Sequence, residues 1–280
     1  MSAERTDVRR GLDRVAPRET LSPLILHTIR MQLRSVLVWG LIVGLYSAAL
    51  VATFPSLGGQ EGLSQIMQSY PEGLREAFSL DALGTVEGFL ASQVFDLAPL
   101  ALSFFTILAL AGAIAGAEER GSIDVLLGNP LPRWQLVVGS FVATASSFLL
   151  ILAAVGLLTW LPARLLDVDL SARTAAEGVL NLWPICLFFG ALALLGSAIF
   201  HRRAVAVAIP GILLFVMYLL GVLGDIVDEM EPYQPLSAFH YYGSAIENGI
   251  DWANFAGLMS VTAALVALAI LIFRRRDIYT

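Results

Sequence analysis

Lysine is absent from this 280-residue chain, and all 17 of its basic residues are arginine. That excludes every motif built on a lysine, above all the phosphate-binding loop G-x-x-x-x-G-K-[ST], whose lysine reaches the nucleotide phosphates. If ATP powers this protein, hydrolysis is expected on another chain. Cysteine is nearly absent: Cys186 stands alone beside Pro184 in an apolar run, which rules out an intrachain disulfide and points to packing. The three histidines, His27, His201 and His240, are far apart and show no H-E-x-x-H or Cys/His spacing, so no metal site is expected. No G-x-S-x-G elbow occurs and no carboxylate pair lies within an apolar run, so nothing argues for catalysis or a cofactor on this chain. Charge is also scarce, at 14% against about a quarter in soluble domains.

What the chain has is apolar length. It is 57% hydrophobic, with a mean hydropathy of +0.76. A spanning helix needs roughly 20 apolar residues, because each adds about 1.5 Å against a hydrocarbon core of about 30 Å. Six charge-free stretches qualify: 35–54, 97–117, 134–160, 179–200, 204–224 and 252–273. Trp134, Trp160 and Trp252 mark span ends, where an indole prefers the interface. The alternating pattern of a membrane β-barrel is missing, so the expected fold is all-α and polytopic, with six transmembrane helices.

Cutting the chain at these spans puts 14 arginines on one side and leaves Arg75, Arg164 and Arg173 on the other. The positive-inside rule makes the arginine-rich side cytoplasmic, with both termini there and the plasma membrane as the expected location. The first span follows 34 arginine-rich residues and is longer than a signal-peptide core, so it reads as a retained span. Residues 1–20 have no apolar face and read as a tail, leaving 21–280 as the six-span domain. Arginines at span ends, such as Arg202, Arg203 and Arg274 to Arg276, fit topology and anionic headgroups better than nucleic acid.

Leu21, Ile25, Ile29 and Leu33 recur every fourth residue before the first span. This predicts an N-terminal interfacial amphipathic helix, the alternative being an extension of the first span. Gly40 with Gly44, and Gly112 with Gly116, form G-x-x-x-G pairs that allow close helix approach, within the subunit or between subunits.

The loop between the second and third spans carries the most information: AGAEERGSIDVLLGNPLPRWQLVVGS, from Ala115 to Ser140. Glu118, Glu119 and Arg120 leave the membrane and Gly121 or Ser122 can start a helix. Ile123, Val125, Leu126 and Leu127 form an apolar ridge, and Gly128, Asn129, Pro130 and Pro132 stop it. So short a helix needs a partner surface, or else lies on its own membrane.

This stretch, between the second and third of six spans, resembles the permease subunits of ATP-binding-cassette (ABC) exporters of the type-2 family, which handle drugs, polysaccharides or lipids. The resemblance rests on Glu118, Glu119, Arg120, Gly121, Ser122, Leu126, Leu127, Pro130, Pro132 and Arg133, that is, acids, Arg-Gly-Ser, an apolar run and a Pro-x-Pro-Arg turn. It implies that the short helix is a coupling helix docking on a separate ATPase subunit, which holds the ATP and magnesium. Ile123, Leu126 and Leu127 would be its anchors, with Glu118, Glu119, Arg120 and Asp124 setting charge at the rim. It also implies a second permease, identical or paralogous, completing a substrate path in the bilayer. The rival reading is a secondary transporter driven by an ion gradient, which should show inverted repeats, interrupted helices and mid-membrane charge.

Overall fold

The computed structural model describes residues 17–59, 62, 84–119, 132–227 and 229–276. Among these residues all regular structure is helical. The long helices are α1 (Pro17–Thr53), α5 (Arg133–Leu165), α6 (Ala172–Ile199), α7 (Arg203–Ile226) and α10 (Trp252–Arg275). Between the first two lie α2 (Val86–Leu90), a π turn over Ala91–Phe95, α3 (Ala98–Ala111) and α4 (Ala115–Glu119). Short helices α8 (Ala238–Tyr242) and α9 (Ala245–Asn248) precede α10. Five helices are long and apolar enough to cross a membrane, and the pair α2–π turn and α3, bent by 41°, makes a sixth.

Two expectations change. The row Leu21, Ile25, Ile29 and Leu33 does not form a separate interfacial helix; α1 runs through it into the first span without a break. The face that α1 buries here places Leu24 and Leu21 against Gly139 of α5, while Leu33 stays exposed. Gly139 makes this possible, since a Cβ there would lie 2.7 Å from Leu24. At roughly 55 Å and 50 Å, α1 and α5 both outreach a hydrocarbon core of about 30 Å and support each other beyond it.

The predicted second span, 97–117, is not one helix. Its regular part, α3, covers about 21 Å and is too short to cross alone. The π turn and α2 complete the crossing on one side, and a turn at Gly112–Ile114 separates α3 from α4 on the other. Hydrogen bonds from neighbouring helices occupy backbone groups on both sides, as broken helices in lipid require. Near the bend, the Tyr46 hydroxyl donates to the Gln93 carbonyl at 3.2 Å and the Tyr242 hydroxyl to the Phe95 carbonyl at 3.1 Å.

Side-chain contacts fix the helix directions. Leu24 meets Gly139, Gln32 donates to Thr144 at 3.1 Å, Gly44 faces Leu158 and Ser47 bonds Thr159 at 2.7 Å, so α1 and α5 run parallel. Phe95 meets Gly178, Thr106 donates to the Cys186 carbonyl and Ser197 reaches Ala115, so α3 runs parallel to α6. Trp183 stacks on Phe255 while Arg276 reaches Ala198, so α10 shares that direction. Gly211 near Phe104, with Arg203 at Leu108, sets α7 antiparallel to α3. The described start of α1 and the end of α10 therefore lie at the same end of the bundle.

Helix α6 is the hub, packing on α3, α10, α5 and α7. In its most apolar window 67% of residues are buried, against 17% for α7. Phe189, Leu182, Ile185 and Cys186 give α6 its core face, and α7 turns Ile212, Phe215, Val216 and Ile226 outward.

Candidate functional site

The arginine-rich end gathers the ends of four helices. When α3 stops at Ala111, backbone groups of the next turn lose their helical partners. The Ser197 hydroxyl on α6 takes over three of them. It accepts from the Ile114 N–H at 3.2 Å and the Ala115 N–H at 2.9 Å, and donates to the Ala111 carbonyl at 3.2 Å. Arg203 at the start of α7 donates to the Leu108 carbonyl at 3.2 Å, and its backbone N–H donates to Glu119 Oε1 at 2.8 Å.

Beyond the break, α4 delivers Glu118 to Arg276 with Nη2 2.7 Å from Oε2, both side chains largely buried. The same guanidinium donates from Nη1 to the Ala198 carbonyl at 3.0 Å and the Ser197 carbonyl at 3.3 Å. These are last-turn carbonyls of α6, where unpaired oxygens and the helix dipole favour a cation. The Arg276 carbonyl in turn accepts from Arg133 Nη1 at 2.5 Å, and Arg133 lies 5.9 Å from the Phe273 ring centre. Both roots of the loop, Glu118 before it and Arg133 after it, are thus tied to Arg276. Beneath them Leu110, Ile114, Leu136, Leu194, Val266 and Phe273 form one apolar cluster joining α3, α5, α6 and α10.

Of the residues expected in the coupling loop, Glu118, Glu119, Pro132 and Arg133 are described. Pro132 has extended backbone immediately before α5. Arg120, Gly121, Ser122, Ile123, Asp124, Leu126, Leu127 and Pro130 lie outside the described residues, as does the tail through residue 16. Glu118 has its partner within the chain, at Arg276.

The glycine pairs divide. Gly40 and Gly44 both face α5: a Cβ on Gly40 would lie 3.2 Å from Ala154, and one on Gly44 2.5 Å from Leu158. Gly112 closes α3 and Gly116 lies in α4, so the break separates them and they share no continuous helical face.

Ser197 and Arg276 were not singled out by sequence reasoning. A lone serine in an apolar run carries no signal, and Arg276 reads as one of three arginines at a span end. At the opposite end of the bundle, Asp225 accepts from Gln234 Nε2 at 2.7 Å and buried Asn181 donates to the Tyr242 carbonyl at 2.6 Å. Among the described residues no group of three His, Cys, Asp or Glu side chains is placed to hold a metal.

A bundle of apolar helices with parallel alternate crossings and one interrupted crossing is that of a multi-pass α-helical membrane protein. Compared with protein-family models, residues 23–278 match that of the ABC-2 family transporter protein. The chain belongs to this family and is a membrane-spanning permease component of an ABC transporter, whose role is transport rather than catalysis. No curated protein matches it.

Proposed function

We propose that this chain forms half of an exporter's substrate path and is driven by a separate ABC ATPase through the loop 118–133. The supporting observation is the tie between Glu118, Arg133 and Arg276. A push on the loop reaches α4 and α5 directly, and through Arg276 it reaches α6 and α10 as well. The turn at Gly112–Ile114 lies between α4 and α3, with the Ser197 hydroxyl of α6 bonded on both sides of it.

In this reading the arginine-rich end is cytoplasmic, by the positive-inside rule, and ATP and magnesium belong to the partner. The outward face of α7, with Ile212, Phe215 and Val216, is apolar enough to meet lipid or a second permease copy. An interrupted span is also a trait of gradient-driven transporters. Family membership weighs against that alternative.

The test is affinity purification of the full chain from its native membranes, with identification of what co-purifies. A P-loop ATPase in near-equal amount is expected, and Leu126→Asp combined with Leu127→Asp should release it while leaving membrane insertion intact. Normal transport by that double variant would overturn the coupling assignment.

A further inference from the structure

A cavity of about 340 Å³ lies at the end of the bundle opposite the arginines, where the bend before α3, the last turns of α7 and α8 meet. Its size is within the range of about 300–1,000 Å³ that accommodates small ligands. Part of the wall is aromatic. Tyr218 of α7 meets Phe239 of α8 edge to face at 5.4 Å between ring centres, and Tyr242 joins them in the lining. Another part is acidic, with Asp96 at the bend and Asp225 in the last turn of α7. Among the described residues no arginine lines it.

Most of these groups are held by the fold. The Ser237 hydroxyl donates to the Met217 carbonyl at 2.6 Å and accepts from the Phe239 N–H at 3.1 Å, which fixes Phe239 against α7. Gly221 leaves that ring room, since a Cβ there would already lie 3.4 Å from the Phe239 Cβ. The Tyr242 hydroxyl is spent on the Phe95 carbonyl, and one oxygen of Asp225 on Gln234. Asp96 differs: it is exposed, and among the described residues no donor or cation is bonded to its carboxylate. The charges that act on it, Glu247 and Asp225, are acids too. A cleft lined by one sign of charge concentrates the opposite sign from solution.

We infer that this cavity binds a small organic cation from the solution on that side, an alkylated ammonium whose charge sits beside Asp96 and Asp225 and whose methyl groups lie on Tyr218 and Phe239. Rings and carboxylates together suit such an ion, because an aromatic face attracts a cation that sheds its water readily. A divalent metal fits less well. It takes about six or more oxygen ligands, and among the described residues no group of three His, Cys, Asp or Glu side chains gathers to hold one. The site lies within one subunit and needs neither the ATPase nor the loop 118–133, so it stands or falls separately from the coupling proposal.

Calorimetry provides the test. The full chain in uncharged-detergent micelles is titrated with choline, a trimethylated ammonium, or with dimethylbutanol, its uncharged carbon isostere. Sodium chloride at about 0.15 M screens diffuse attraction. Choline should bind saturably and about tenfold more tightly than the alcohol, a ratio within reach of a cation held by carboxylates and rings. Asp96→Asn should weaken choline about tenfold and leave the alcohol unchanged, while Asp96→Glu should keep most of the affinity. Because Asp96 has no partner in the fold, the unfolding temperature of Asp96→Asn should match that of the unaltered chain. Tyr218→Leu, which leaves both carboxylates in place, should weaken choline several-fold. No saturable binding of choline to the unaltered chain, equal binding of the two probes, or a choline affinity that survives both Asp96→Asn and Tyr218→Leu overturns the inference.

Discussion

Arg276 holds Glu118 at 2.7 Å although 158 residues separate them, and this contact joins the end of the last helix to the exit of the second span. The pair is largely withdrawn from water and the guanidinium has two further acceptors on α6, so its geometry is satisfied on several sides. Breaking such a pair by removing one partner leaves a buried charge uncompensated, at a cost of about 3–5 kcal/mol. Glu118→Gln and Arg276→Ala should each lower the thermal unfolding temperature of the purified chain in detergent. Their double variant should lose much less than the sum, and strict additivity would show that the two side chains do not act together.

Ser197→Ala removes one hydroxyl and leaves two buried N–H groups, at Ile114 and Ala115, without it. Each unmade buried bond costs about 1–3 kcal/mol. Faster hydrogen exchange should follow at those two amides, with little change along α10. If exchange rises equally everywhere, the hydroxyl stabilises the whole bundle rather than the break.

Gly44 is held to hydrogen by Leu158. Gly44→Ala should destabilise the chain by about 1–3 kcal/mol through overpacking, and adding Leu158→Ala should recover part of that loss. Gly40→Ala, with 3.2 Å to the nearest atom, should be milder. Thermal unfolding of the three variants orders these effects, and no rescue by Leu158→Ala would contradict the parallel α1–α5 contact.

Tyr242→Phe removes the donor to the Phe95 carbonyl at the bend, and Tyr46→Phe the donor to Gln93. Each should cost about 0.5–1.5 kcal/mol, with the buried Tyr242 at the upper end. Proteolytic susceptibility around Val86–Asp96 should rise more in Tyr242→Phe. Identical behaviour of the two variants would argue that burial of Tyr242 does not matter to the bend.

Much of the fold was legible in the chain because the bilayer imposes one simple rule, an apolar run of sufficient length. The third to sixth spans appear as α5, α6, α7 and α10 within a few residues at most boundaries, the start of α6 at Ala172 being the main exception. The second span misled because composition does not see a broken hydrogen-bond ladder: residues 97–117 stay apolar straight through the turn at Gly112–Ile114. The N-terminal row Leu21, Ile25, Ile29 and Leu33 misled for a different reason. Its periodicity was real, but α1 runs through it into the span without a break, and at Gly139 of α5 the contacts come from Leu24, which is outside the row, and Leu21.

By itself, then, the sequence determined that this is an all-helical membrane protein without a lysine for ATP chemistry and that arginine crowds one side. Those properties follow from composition and length, which act residue by residue. Only the tertiary structure decided that Glu118 and Arg133 meet at Arg276, that Ser197 fills the break in the second span, and that Arg203 ties the start of α7 to Leu108 and Glu119. Each depends on a backbone group or charge finding its complement on a helix distant in sequence, and no local pattern carries that information.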